Sequence, residues 1–551
     1  MLAPDPFPGR FRFGLSWDEG HEPIVRATPD IADAAERQQR AITFRFDDPP
    51  TLVPPADAPA RFRWQRVVEY SDFADWKAIS RHFAPLYVTA AAPGAGSTLK
   101  SEIDRIAAAH ADPLARAKAA LRLVQQEVRY IYVGLDGGNL MPASADETWQ
   151  RRYGDCKGKT ALLLALLAGL GIQAEAVLAN NAGADDGLDE RLPNPGLFDH
   201  VLVRAKIGGK TYWLDGTLPP VAGPDQAPVF PYRWVLPLSA AGSTIERVAW
   251  TAPVTPDELE LIEIDARAGF DEPARVTTTS IKRGLPALEM QSQMSALTPN
   301  QLVSLFRQHM VGSTWQTVDD VRWRYDEAAR AGVLTITGTW TVDWDSGSNG
   351  SRWLSLPGGG FSPPERRVRP AEQNQDLPYY SAPGYSCNVT TVRLPEETRP
   401  TQWSFNSSID TLIFGRNYYR AFGMRDGAIR MARGSRVTQP EIDAATARRA
   451  NGRIANFDNS MARIGYSPTG GSLAARFSGN VPTTSEIDWT ADRVPCLPPD
   501  ELGKVDAGRR TARRARVCTV SAGKFHHKRT RRSPRSHPAP VDPLHRPRWS
   551  M

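Results

Sequence analysis

Three residues stand in an order that suits covalent acyl chemistry: Cys156 in "RRYGDCKGKTALLLALLAGLGIQA", His200 in "FDHVLVRAKI" and Asp215 in "YWLDGT". A catalytic thiol needs its thiolate form favoured, a base beside it and a third group that orients the base. Asp155 reads as the N-cap of a helix whose first turn holds Cys156, where the positive end of the helix dipole favours a thiolate. Lys157 and Lys159 add positive charge nearby, and Asp155 is counted as structural because its carboxylate is occupied by backbone amides. His200 is the only histidine within about a hundred residues downstream of the thiol. If it faces the sulfur, strand alternation puts Leu202 and Arg204 on its side and Asp199, Val201 and Val203 on the other. The short "IGGK" connection predicts an antiparallel hairpin that brings Asp215 near His200, where a carboxylate would hold the imidazole tautomer.

The elements that must carry these residues are legible from capping and periodicity. Trp76, Ile79, Phe83 and Leu86 recur at steps of three and four, which is one face of a helix. A later helix begins at Asp112 as N-cap with Pro113 in its first position, and Leu114, Leu121, Val124 and Val128 mark its apolar stripe. "SADE" reads as a capping box, with Ser144 as cap and Glu147 at the third position, opening a short helix that "YG" closes. The apolar run from Ala161 to Ile172 is a buried helix, too short for the ~20 residues of a membrane span. Three strands follow, "AEAVLAN", "DHVLVRAKI" and "KTYWLDGT", the first two separated by the acidic, Gly/Pro-rich loop "NAGADDGLDERLPNPGLF".

The stretch from Val124 to Thr217 resembles the transglutaminase-like cysteine enzymes of papain-type fold, through "VQQEVRYIYVG", "PASADETWQRRYGDCKGKTALLLALLAGLGIQAEAVL", "LPNPGLFDHVLV" and "YWLDGT". It is most similar to bacterial envelope proteins in which a β-rich domain precedes the core and another follows. The resemblance implies that Cys156 is the nucleophile, His200 the base and Asp215 the orienting acid. It also implies an oxyanion donor at Gln150, six residues before the cysteine, and a location in the periplasm or cell envelope. Two departures stand out. Many relatives carry an acidic residue where this chain has Gly158, and the N-terminal β region is shorter here. Trp149, Tyr153 and Trp213 are candidate cleft-lining aromatics, although aromatics at a helix–sheet junction serve in cores at least as often.

The rest of the chain bounds the reading. With 551 residues and 41% apolar content the chain needs more than one core. The expected class is α+β: a β-rich segment over 1–70, the transglutaminase-like core over 71–252, a β-sandwich-like domain over 253–485 and a basic tail over 486–551. "VLTITGTWTVDWD" alternates strictly, with Leu334, Ile336, Trp340, Val342 and Trp344 on one face and threonines on the other, the pattern of a half-buried antiparallel strand. The net charge of +6 is misleading. From Arg509 onward thirteen Lys and Arg face a single acid, which puts +12 there and leaves about −6 on the first 508 residues. That tail lacks apolar periodicity and is expected to be disordered. No nucleic-acid partner is expected for the folded body, and no membrane span.

Cys156, Cys387, Cys496 and Cys518 are too few and too scattered for a disulfide framework or a zinc site, so neither a metal nor a cofactor is expected. The N-terminal "MLAPDPFPGRFRFGLSWDEG" shows no basic segment followed by an apolar run, which predicts no export signal within this sequence. Together these readings predict a thiol peptidase, amidohydrolase or acyltransferase acting on a peptide, protein or envelope polymer. The alternative is a non-catalytic module that binds such a polymer on the same scaffold.

Overall fold

Four side-chain caps set where the helices around Cys156 begin. A computed structural model describes residues 1–5, 8–132, 141–405, 408–457, 461–470, 481–490 and 494–499, so the basic segment from Arg509 and Cys518 lie outside the described residues. Asp75 accepts from the Ala78 amide to open α1 (Trp76–Ala90), and Asp112 accepts from Ala115 to open α3 (Pro113–Glu127), with α2 (Leu99–Ala109) between them. Ser144 accepts from Glu147 to open α4 (Ala145–Arg151), which ends on Arg152 in the left-handed region, φ 57°. Asp155 then accepts from Gly158 at 3.0 Å to open α5 (Cys156–Gly169). Because α5 is apolar on every side, its burial is all-round, and it is the central rod of the unit. Leu121, Val124, Trp149, Leu162 and Leu166 share the largest core here with Val203 and Ala205.

A five-stranded sheet lies against α5. Its strands are β1 (Gln173–Ala179), β2 (His200–Ile207), β3 (Lys210–Leu214), β4 (Trp234–Pro237) and β5 (Glu246–Arg247), in the order β3-β2-β1-β4-β5 with every neighbour antiparallel. The β2–β3 hairpin turns through Gly208 and Gly209, φ +55° and +73°, a two-residue connection that L side chains rarely adopt. Its register sets Leu214 opposite Val203 and Ala179 opposite His200, so Asp215 leaves the sheet near the start of β2. One face of the sheet, Ala176, Leu178 and Val201, meets α1 and Cys156; the other, Val177, Ala179, Leu202 and Trp213, packs on Tyr232 and Val235.

Contacts divide the chain into two compact units. One contains Met1–Trp250 with Ala371–Asn374, so the strands of the first seventy residues fall in the same unit as the helices; the other contains Thr251–Pro370 and continues from Gln375. In the first unit a small sheet of Arg10–Ser16, Ala41–Asp47 and Ala35–Gln38 carries its own core of Ile31, Ile42 and Phe44.

The second unit is built on an eight-stranded sheet in the order Trp315–Asp326, Ala331–Trp340, Ala274–Arg283, Glu258–Asp265, Tyr385–Arg393, Ala428–Val437, Arg416–Arg425 and Ile409–Ile413. Only the pair Glu258–Asp265 and Tyr385–Arg393 is parallel. One face shares a core with a four-stranded sheet through Ile264, Phe422, Leu354, Trp403 and Ile464; the other is covered by Val481, Val494 and Leu497. Along the stretch 333–345 Leu334, Ile336, Trp340, Val342 and Trp344 share one core while Thr335, Thr337 and Thr339 on the other face are half-buried, between two antiparallel neighbours; the strand itself ends at Trp340, and Val333 is buried in the core of the opposite face. The chain as a whole mixes α and β structure.

The cysteine expectation needs correction, because Cys387 and Cys496 form a disulfide across 109 residues. Cys387 lies in a strand whose neighbour places Gly434 opposite it. A Cβ at Gly434 would lie 1.8 Å from the Cys496 carbonyl oxygen, so the glycine opens the lane along which the second cysteine approaches. Cys156 is the free cysteine among the described residues.

Candidate active site

Cys156 is the first residue of α5 and only 3% exposed. Its position follows from Asp155, whose carboxylate is doubly used: it caps the Gly158 amide and receives the Lys157 ammonium at 2.5 Å. Lys157 is itself buried, so its charge is spent on the cap. The helix is fixed to β2 by Thr160, whose hydroxyl donates to the Val201 carbonyl at 3.2 Å.

His200 opens β2 and is buried. Its Nε2 lies 2.8 Å from Oδ2 of Asp215, and Cys156 is near enough for its charge to act on the ring. Burial works to lower the basicity of His200, but the Asp215 charge and hydrogen bond, joined by Cys156, push its pKa up to about 10. Asp215 feels the converse. Burial would raise it, yet the His200 charge and hydrogen bonds from His200 and Thr217 hold its carboxyl below the ordinary range. Thr217 supplies both its amide, at 2.9 Å, and its hydroxyl, at 2.6 Å, to Oδ1.

The three residues that could do thiol chemistry are therefore all buried and brought near one another, with His200 and Asp215 hydrogen-bonded. His200 does share its strand face with Leu202 and Arg204, as alternation requires, but those two turn away from α5; the sulfur comes near the ring only because both lie at the ends of their elements. The remaining site candidates are placed differently. Gln150 is exposed on α4, and no hydrogen bond among the described residues carries it to Cys156 or His200. Trp149 is a core residue, 5% exposed, stacked under the Arg152 guanidinium at 3.5 Å, because α4 packs that side onto α5. Tyr153 is exposed under Arg151, two residues before the N-cap of α5. Trp213 lines a small cavity with Asp215, Leu218, Phe230 and Tyr232, on the sheet face away from α5.

Several neighbours went unread in the sequence. Gln125 of α3 donates from Nε2 to the Asp215 and Ala222 carbonyls, both at 3.0 Å, and so pins the turn after β3. Tyr87 of α1 is buried with Cys156 in one apolar cluster; burial, then the Cys156 and Asp155 charges, raise its pKa. Tyr130, partly exposed, is pushed up in the same way. Position 158 has a physical reason for its glycine: a Cβ there would lie 2.8 Å from Thr148 Oγ1, so α4 occupies the space an acidic side chain would need. Among the described residues no group of His, Cys, Asp and Glu is arranged to hold a metal ion, and no helix is long and apolar enough to cross a membrane.

No protein-family model matches the chain, and no curated protein sequence matches it. Among solved structures the chain is similar to a "putative protease" from Parabacteroides distasonis, at 13% identity and TM-score 0.46, over 84% of this chain and 74% of that one. It is also similar to a "putative cysteine protease" from Cytophaga hutchinsonii, at 13% identity and TM-score 0.19, over 38% of this chain and 73% of that one. At these levels of likeness the chemistry has to be argued from the site itself.

Proposed function

We propose that the chain is a thiol enzyme of transglutaminase-like, papain-type architecture that cleaves or transfers the acyl group of an amide or peptide bond. The observation that carries the reading is the buried 2.8 Å contact between His200 Nε2 and Asp215 Oδ2, with the free cysteine Cys156 buried at the head of α5 and its charge acting on the same ring. In this mechanism His200 holds the thiol's proton as an imidazolium, which its raised pKa favours, and the thiolate attacks the amide carbonyl carbon. As the C–N bond breaks, His200 returns that proton to the departing amine and a thioester remains on Cys156. Water or a second amine then adds to the thioester, gives its proton to His200, and expels the sulfur. Asp215 stays ionised throughout, fixing the ring at Nε2. The backbone N–H of Cys156, in the first turn of α5, has no acceptor within the helix and is suited to the oxyanion. A peptide or protein is the substrate class that fits this chemistry.

The test is covalent trapping with electrophilic peptide probes, read by peptide mass mapping. Wild type is expected to be labelled on Cys156, Cys156→Ala not at all, and Asp215→Ala slowly, since the acid orients the base without carrying the nucleophile. If iodoacetamide at pH 6 modifies Cys156 of the native protein no faster than a solvent-exposed cysteine peptide, the enzyme reading fails.

A further inference from the structure

Lys159 lies one turn beyond Cys156 on α5, is 2% exposed, and is not used by the mechanism above. Its surroundings are unusual for a lysine. The ammonium makes a single hydrogen bond, to the carbonyl of Val128 at 2.5 Å, where α3 gives way to the segment holding Tyr130. Its aliphatic stem runs beside two glycines: a Cβ at Gly216, next to Asp215, would lie in ordinary contact with it, 3.5 Å from Lys159 Cβ, and one at Gly154 3.7 Å from Cγ. One side chain thus reaches the end of α3 from a position beside the turn that carries Asp215.

Burying an ammonium without a compensating charge is expensive, and in practice such a group neutralises. Burial does lower Lys159, to about 8, while the Asp215 carboxylate opposes the loss of its proton. The other charged groups near the head of α5 are already balanced or neutral. Asp155 pairs with Lys157, Glu127 faces Arg152 at 3.6 Å near the surface, and burial keeps the Tyr87 and Tyr130 phenols protonated. Once the thiol ionises, the buried set consists of a thiolate, an imidazolium and a carboxylate, with a net charge of −1. Lys159 makes that set neutral.

We propose that Lys159 is a positioning residue of this site: its buried ammonium, held by the Val128 carbonyl one turn along α5 from the sulfur, supplies the positive charge that lets the reactive thiolate form inside an electrically neutral cluster. The inference rests on the thiol-enzyme reading and adds to it a fourth charged member. Removing the charge leaves the ionised state at −1 in a buried site, which disfavours the thiolate and moves reactivity to higher pH.

The experiment is the rate of iodoacetamide modification of Cys156, measured from pH 4 to 9 on the full chain, for wild type, Lys159→Met and Lys159→Arg, with the Tm of each. Lys159→Met is expected to react about tenfold more slowly at pH 6, equivalent to about one unit of displacement of the acid limb, and to converge on wild type at high pH. Lys159→Arg keeps the charge and should keep the acid limb. A Lys159→Met profile that superimposes on wild type, even with a lower Tm, would make Lys159 a structural residue only and overturn the proposal. Should Lys159→Met not fold, the wild-type protein gives a second measurement through the NMR titration of lysine 13Cε. Converting Cys156 to its methyl disulfide removes the sulfur's charge, so the Lys159 midpoint should fall; an unchanged midpoint overturns the proposal equally. Wild-type Cys156 without reactivity at pH 6 would sink the enzyme reading and this one together, whereas failure of the Lys159 comparison alone leaves the enzyme reading standing.

Discussion

In the second unit Arg430, 2% exposed, donates to the carbonyls of Val481 and Arg425 at 2.9 and 2.8 Å, and Arg369 donates to those of Leu377 and Pro378 at 2.7 Å each. Arg420, fully buried, donates to the Gly359 carbonyl at 2.8 Å. In the first unit Arg66 is held in the same way by the Ala3 and Pro50 carbonyls, but around Cys156 the buried charges Lys157, Lys159, His200 and Asp215 set acids and bases against one another. The contrast is chemical. A guanidinium keeps its charge at every accessible pH and offers five donors, so main-chain carbonyls can hold it as a fixed structural pin. Histidine, lysine and carboxylate exchange protons, and each shifts the others, so their cluster can change state. The cysteines divide along the same line, with Cys387 and Cys496 locked to each other and Cys156 free beside a base.

Separating structure from chemistry in this way predicts that each unit can be damaged without the other's property. Replacing Cys387 and Cys496 together by Ser removes a link across 109 residues. The loss of loop-closure constraint in the unfolded chain amounts to roughly 4–5 kcal/mol, read as a shifted urea transition of the second unit. Gly434→Ala should act in the same direction, since its new Cβ must displace the Cys496 carbonyl. Neither change should alter the modification rate of Cys156; a tenfold fall in that rate would break the comparison.

The reciprocal experiment is His200→Ala. Loss of the base should lower Cys156 modification at pH 6 by about a hundredfold, the lower range for a positioned proton-transfer group and equivalent to about 2.7 kcal/mol. The second unit's urea transition should stay where it is. Unchanged reactivity at pH 6 would mean that the ring does not act on the sulfur despite their proximity.

Much of the first unit was legible because its signals are local. Asp112 before Pro113, Ser144 before Glu147 and Asp155 before Gly158 each specify a cap within four residues, and the Gly208–Gly209 pair specifies the hairpin that aligns Asp215 with His200. Residues whose roles depend on distant partners could not be read. Gln125 grips a carbonyl ninety positions away, and the disulfide joins a strand to a segment with no periodic pattern. Lys159 was legible as a charge near the thiol but not as a buried one, because only the fold brings the Val128 carbonyl, thirty-one positions away, to its ammonium. Trp149 carried an ambiguous signal, since an aromatic beside a cysteine suits a cleft or a core, and the packing of α4 on α5 puts it in the core.

The smallest effect expected is also the most diagnostic, because it depends on two titrations of opposite sign. His200 rises from 6.5 when unfolded to about 10 when folded, so its contribution is complete below pH 6.5 and is lost as pH climbs towards 10. Lys159 falls from 10.5 to about 8, so between those values the unfolded chain binds the extra proton and stability recovers as pH rises. From pH 6.5 to 8 the loss from the histidine is opposed in part by the Met1 amine, which burial lowers from 8.0, and the first unit should lose at most about 2 kcal/mol, one bound proton per pH unit being worth about 1.4 kcal/mol. From 8 to 10 the two terms cancel and the curve should flatten. Urea unfolding at pH 6.5, 8 and 9.5 reads this directly. His200→Ala should abolish the early decline, and Lys159→Met should let the decline run on past pH 8. The buried arginines of the second unit hold their charge across the whole range, so its transition serves as the internal reference. A first-unit transition as indifferent to pH as that reference would show that the buried His200, Asp215 and Lys159 do not titrate as a coupled set.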